Sequence, residues 1–157
     1  MKHKILVVGS GAREHAIVRA LDRSEQEKEI FCLASNMNPG ISGLCGELAV
    51  GSINNPEFVV NYAKKTGTTL AVIGPESPLA CGVADALWNV NIKVVGPKKK
   101  LAQLETSKTF TRNLLKEYNI PGGPKYQPFG SMDGVLDFLN ELGECYVVKY
   151  DGLAGGK

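Results

Sequence analysis

Short apolar runs alternate, along the first 97 residues, with segments whose apolar positions repeat every three to four. Ile5-Leu6-Val7-Val8 is a continuous apolar run ending at Gly9, as expected of a strand covered on both faces. Ala12, Ala16, Ile17, Ala20 and Leu21 then recur with helical spacing. Residues 30–34 predict a second strand, residues 36–46 a loop rich in Asn, Pro and Gly, and residues 48–50 a short third strand. Asn55-Pro56 marks a helix start, with Asn as the cap and Pro at the first helical position. That helix should run to Thr66. Leu70–Ile73 reads as a strand ending in Gly74-Pro75, residues 79–89 as a helix, and Lys93–Val95 as a strand ending in Gly96-Pro97.

This alternation predicts an α/β fold with a parallel sheet of four or five strands and helices on both faces. Right-handed crossovers leave few topologies. Ligands of open α/β sheets bind beyond the carboxyl ends of the strands. Three strands end in glycine-containing loops, Gly9-Ser10-Gly11, Gly74-Pro75-Glu76 and Gly96-Pro97-Lys98. They are expected on one edge.

The character changes after Lys100. Residues 107–118 read as a helix with Phe110, Leu114 and Leu115 on one face, broken by Ile120-Pro121-Gly122-Gly123-Pro124. Residues 125–129 suggest a strand. Ser131 is placed to cap a helix containing Val135, Leu136, Phe138, Leu139 and Leu142. Tyr146-Val147-Val148-Lys149 suggests a final strand, and a Gly-rich turn runs from Asp151 to Lys157 with nothing after it to pack on that strand. The pattern reads as two domains, 1–100 and 101–157, the second cut short.

Composition adds exclusions. Hydrophobic residues are 43% and charged residues 22%, ordinary globular values that argue against disorder, collagen-like repeats and coiled coils. A net charge of +2 argues against a broad nucleic-acid footprint. No apolar run approaches the ~18 residues of a membrane span. The apolar run at the amino terminus is too short for a signal sequence and leads into a glycine turn. A cytoplasmic protein is expected. The four cysteines are widely spaced and form no Cys-x-x-Cys pair, so they read as reduced and mostly buried thiols.

The first glycine loop invites a dinucleotide reading, but the third glycine of G-x-G-x-x-G is replaced by Glu14. The second strand also leads to Ser35-Asn36 rather than to an acidic residue. A helix start with free backbone N–H groups suits a phosphate monoester better. Gly9, Ser10, Gly11 and Arg13 are its candidate ligands, and the alternative is a tight turn with no ligand. Glu14 complements the helix dipole, and His15 reads as a packing residue. Glu76, at another strand end, could accept two hydrogen bonds from a vicinal diol such as ribose, or act as a cap for the following helix. Lys98-Lys99-Lys100 reads as a solvated face. Residues 151–157 have neither the register nor the following Ser or Thr of a Walker A loop, leaving a flap over nucleotide phosphates or a plain turn.

Four blocks together resemble the phosphoribosylamine–glycine ligase family of the ATP-grasp superfamily. Gly9-Ser10-Gly11-Ala12-Arg13-Glu14-His15-Ala16 is similar to its G-x-G-G-R-E-H-A, and Ile73-Gly74-Pro75-Glu76-Ser77-Pro78-Leu79 to its V-G-P-E-x-P-L. Gly96-Pro97 with Gln103-Leu104-Glu105-Thr106-Ser107-Lys108 resembles G-P…Q-L-E-G-S-K, and residues 148–157 resemble I-K-A-D-G-L-A-A-G-K. Ala12, Thr106, Tyr150 and Gly155 depart from the pattern.

The resemblance implies a Rossmann-like N-terminal domain preceding the ATP-grasp domain, followed by the start of that ATP-grasp domain. It also implies a reaction in which ATP, glycine and 5-phosphoribosylamine give glycinamide ribonucleotide, ADP and phosphate, within de novo purine biosynthesis. The glycine carboxylate would take the γ-phosphoryl group as glycyl phosphate, and the amine would then displace phosphate. By resemblance, residues 9–13 and Glu76 hold the phosphate and ribose of the substrate. Lys108, Lys149, Asp151, Gly152, Gly155, Gly156 and Lys157 belong to the ATP site. The family's Mg²⁺ (or Mn²⁺) ligands, its catalytic groups and most of its glycine site are expected beyond Lys157. The partners implied are these small molecules, with no nucleic acid and no membrane, and a monomer is expected. The 157-residue chain alone should then be inactive. The alternative is a phosphosugar-binding module without catalysis.

Overall fold

A computed structural model describes residues 2–154. The chain divides into two compact units, residues 1–102 and residues 103–157.

The first unit is a five-stranded, wholly parallel sheet, consistent with the α/β expectation. Its strands are β1 (His3–Val8), β2 (Lys28–Ala34), β3 (Glu47–Val50), β4 (Leu70–Ile73) and β5 (Lys93–Val95), in the order β3-β2-β1-β4-β5. Val8 is in register with Leu33 on one side and Ile73 on the other. The chain runs outward from β1 to β3, crosses back through α3 and resumes at β4. The sheet therefore has its switch point between β1 and β4, where open α/β sheets receive ligands.

The pleat divides β1 between two cores. Leu6 and Val8 face one core with Leu33, Val59, Ala63, Val83 and Leu87. These come from β2 and from the helices α3 (Pro56–Thr66) and α5 (Val83–Asn89). Val7 faces the other, with Ile30, Cys32, Val18 of α1 (Ala12–Asp22) and Ile41 of α2 (Pro39–Ser42). Leu6, Val7 and Val8 are fully buried, so the apolar run is explained by cover on both faces.

Some local readings are corrected. Residues 36–46 contain the short helix α2, started by Asn38, whose side chain accepts from the Gly40 and Ile41 N–H groups. The helix expected over 79–89 is two, α4 (Glu76–Ala80) and α5, separated at Gly82 with φ 85°. That left-handed conformation suits glycine and stops the first helix. Lys98-Lys99-Lys100 is exposed as expected, but it leads into α6 (Lys99–Thr106), where Asp85 accepts the Lys99 N–H at 2.8 Å. The thiols are not mostly buried: Cys32 is buried, Cys45 is intermediate, and Cys81 and Cys145 are exposed.

The second unit holds α7 (Lys108–Glu117) and α8 (Val135–Leu142). Ser107 caps α7 by accepting the Phe110 N–H at 3.0 Å. Residues 125–129 and 146–149 are not strands, because no neighbouring strand pairs with them. α8 begins at Val135 rather than near Ser131, whose hydroxyl bonds Asp133 instead. No described side chain in residues 103–154 is buried.

Candidate functional site

The parallel sheet carries the three glycine loops to one edge. Gly9 follows β1 and Gly74 follows β4, and the Gly74 N–H donates to the Val8 carbonyl at 3.1 Å. Gly9 adopts φ 121°, a region that side chains avoid. Gly96 follows β5.

Arg13, in the first turn of α1, joins two of these loops. Its guanidinium donates to the Gly74 carbonyl at 2.6 Å and to Glu76 Oε1 at 2.8 Å. The Arg13 side chain is 59% exposed, so the ion pair adds little stability. Its effect is placement: a cation and a carboxylate from distant parts of the chain stand together beside the start of α1. Glu76 is the first residue of α4, whose N-cap is Pro75 with no side-chain cap bond, so Glu76 does not cap that helix as the alternative reading expected.

Ser10 turns away from this pair. Its hydroxyl bonds Ser35 and Asn36, and its carbonyl accepts the Asn38 side chain at 2.8 Å. The Gly11 N–H donates to Glu14 Oε2 at 2.6 Å. Within the loop, then, one predicted phosphate donor is already engaged by a side chain. His15 packs against Gly40, where an added Cβ would lie 2.6 Å from His15 Cε1.

Residues 35–38, read from the sequence only as part of a loop, join the site edge by bonding Ser10 through Ser35, Asn36 and Asn38. They follow β2, the neighbour of β1, and so lie on the same edge. An Asn-rich loop at that strand end was the available signal, overshadowed by the missing acidic residue.

In the second unit the predicted nucleotide residues form their own cluster. The Asp151 carboxylate accepts from the Lys108 N–H at 2.6 Å, the Thr109 N–H at 3.2 Å and the Ser107 hydroxyl at 3.1 Å. It thus caps α7, satisfying donors that a helix start leaves open. Its slight burial works to raise its pKa, but hydrogen bonds from Thr109, Ser107 and Lys108 outweigh this and hold the carboxyl below the ordinary Asp range. Lys108 Nζ donates to the Gly152 carbonyl at 2.8 Å. Lys149 is exposed. Gly155, Gly156 and Lys157 lie outside the described residues. Among the described residues, no group of three His, Cys, Asp or Glu side chains is placed to hold a metal ion. No described helix is long and apolar enough to cross a membrane.

Comparison with known proteins accounts for both units. Residues 3–105 match the family described as phosphoribosylglycinamide synthetase, N domain. Residues 106–157 match phosphoribosylglycinamide synthetase, ATP-grasp (A) domain. A phosphoribosylamine–glycine ligase of Methanosarcina barkeri is 44% identical over 154 residues, covering 98% of this chain and 35% of the relative. One from Methanocaldococcus jannaschii is 46% identical over 158 aligned positions, with the same coverage. The chain thus spans about a third of the length of these curated relatives.

Among solved structures, phosphoribosylglycinamide synthetase from Anaerococcus prevotii aligns with TM-score 0.60 and 19% identity, over 76% of this chain and 30% of that one. N5-carboxyaminoimidazole ribonucleotide synthetase from Thermotoga maritima aligns with TM-score 0.65 and 17% identity, over 87% of this chain and 36% of that one. These likenesses concern the fold. With family models matched end to end through both units, the chain belongs to the phosphoribosylglycinamide synthetase family.

Proposed function

We propose that the chain is the amino-terminal part of an ATP-dependent ligase that joins glycine to 5-phosphoribosylamine, giving glycinamide ribonucleotide, ADP and phosphate in purine biosynthesis. The observation that carries this reading is the junction of Arg13 with Gly74 and Glu76. It brings two family motifs onto one sheet edge, at the switch point.

In this reading the substrate phosphate meets the first-turn N–H groups of α1, where the helix dipole favours an anion. Gly9 and Ser10 shape the loop, Gly11 starts the helix, and Arg13 reaches the same phosphate. Glu76 accepts hydrogen bonds from the ribose hydroxyls. The Arg13–Glu76 pair holds both recognition groups in place before the ligand arrives, reducing the ordering cost of binding.

ATP supplies the phosphoryl group that makes a carboxylate reactive. Lys108 and Lys149 are cations suited to its phosphates, and Gly152, Gly155, Gly156 and Lys157 would lie along them. Asp151 contributes by capping α7 and by setting the turn whose Gly152 carbonyl holds the Lys108 amine. Mg²⁺ (or Mn²⁺), when bound, would neutralise the charge that phosphoryl transfer develops. Among the described residues no cluster of three His, Cys, Asp or Glu side chains is formed for it, and we assign its carboxylate ligands by family resemblance to residues outside this chain. The remaining assignments are a cytoplasmic monomer acting on small molecules, with residues 1–100 serving the phosphosugar and residues 101–157 the nucleotide.

Calorimetric titration with ribose 5-phosphate tests the phosphosugar site. Wild type should bind, and Gly11→Glu, which sets a second carboxylate at the helix start, should not. Equal binding by both would refute the assignment. A phosphosugar module without catalysis would pass this test too, but it gives no role to the Lys108, Asp151 and Gly152 cluster.

A further inference from the structure

Glu14 sits in the first turn of α1, and a favourable charge near the helix dipole would account for it in sequence terms. Its surroundings point to more. The residue is only 4% exposed, although a carboxylate at a helix start normally lies in water. Its side chain curls back, and Oε2 accepts the Gly11 N–H at 2.6 Å.

Two further glycines are moulded to the same side chain. A Cβ on Gly74 would lie 2.0 Å from Glu14 Oε1, and a Cβ on Gly9 would lie 2.8 Å from Glu14 Cγ. Gly9 and Gly11 belong to the loop after β1, and Gly74 to the loop after β4. One buried carboxylate therefore fills the seam between the two loops, at the switch point of the sheet. Arg13, the preceding residue, spans that seam on its exposed side through Gly74 and Glu76.

This inference rests on the reading of residues 9–13 and 74–76 as a phosphosugar site. We propose that Glu14 is a positioning residue of that site. Its carboxylate takes the Gly11 N–H out of ligand contact and sets the spacing of the two loops. The phosphate then meets the other N–H groups of the helix start beside the Arg13 guanidinium, which Gly74 and Glu76 hold. Glycine at position 74 then reflects the carboxylate it must clear.

The test uses the ¹⁵N-labelled 157-residue chain and the variants Glu14→Gln, Glu14→Ala, Gly74→Ala and Glu14→Ala/Gly74→Ala. The Gly11 amide shift is read without ligand, and affinity is read with ribose 5-phosphate. Glu14→Gln keeps an acceptor and should retain the Gly11 shift, with affinity within about 3-fold of wild type. Glu14→Ala should move the Gly11 amide and weaken binding by about ten-fold or more. Gly74→Ala should weaken binding similarly. The double variant should be no worse than the poorer single one, since removing the carboxylate removes the clash. Should Glu14→Ala fail to fold, Glu14→Asp, one methylene shorter, makes the same comparison. An unmoved Gly11 amide in Glu14→Ala, or additive losses in the double variant, would overturn the proposal. A Gly11 amide that responds in a chain binding no ribose 5-phosphate would overturn the ligand reading and support the loop clamp.

Discussion

Residues 2–102 hold their candidate groups against packed side chains. Leu6, Val7 and Val8 are fully buried directly behind Gly9, and Glu14 is enclosed between two loops. In residues 103–154 no side chain reaches that degree of burial, and the cluster of Ser107, Lys108 and Asp151 is held by exposed hydrogen bonds. Both regions keep family motifs, but only the first surrounds them with a core. A site set on a covered sheet edge is fixed before its ligand binds, whereas polar contacts in water hold position weakly. The proposed phosphosugar site is therefore expected to bind its ligand in this chain, and the proposed nucleotide site to bind weakly.

The largest expected effect is on turnover. Phosphate release from ATP, with glycine and freshly made phosphoribosylamine, should be at background for the 157-residue chain and readily measured for a full-length ligase. Comparable rates would mean that metal ligands exist within these residues.

Next comes the contrast in core truncation. Leu33→Ala, at a fully buried position, should destabilise the first unit by about 3 kcal/mol. Leu139→Ala, at a partly covered position of α8, should cost under about 1 kcal/mol. Denaturant unfolding measures both, and similar losses would abolish the distinction.

Legibility followed the same division. The strands of the first unit were readable because burial on both faces demands uninterrupted apolar runs, as in β1. Asn55-Pro56 announced α3 correctly. The same pair at Asn38-Pro39 starts α2, but four residues are too few for a helical period to show. Gly82 split a helix whose apolar spacing continued across it. Residues 146–149 have strand-like composition, yet a strand exists only where another pairs with it. At the proposed site, glycines at strand ends share one edge of the parallel sheet, as expected. Glu14 did not stand out, because a chain of letters cannot distinguish a carboxylate turned inward from one facing water.

A smaller effect concerns Asp151. Asp151→Ala should destabilise α7 by about 0.5–1 kcal/mol, as for loss of a cap. Because the folded-state pKa is lowered, the stabilisation is complete above the ordinary Asp range of ~4 and is lost as pH falls through the lowered value. Amide exchange of residues 108–111 between pH 5 and pH 2 should show this in wild type but not in Asp151→Ala, with pH ranges set about the reference value. Smallest is a reactivity difference. Burial pushes the Cys32 thiol up to about 12, with nearby Cys45 and Glu14 adding to the rise. Thiol reagents at about pH 8 should modify exposed Cys81 and Cys145 first and leave Cys32 intact in the folded chain.

The most direct test of a preformed site in one unit and an incomplete one in the other is a pair of amide-shift titrations on wild type. Ribose 5-phosphate should shift residues 9–13 and 74–76 at saturable concentrations, while Mg²⁺-ATP should produce only weak, unsaturated changes near Lys108 and Lys149. Saturable ATP binding at the second unit, with residues 9–13 and 74–76 unmoved by ribose 5-phosphate, would contradict the account.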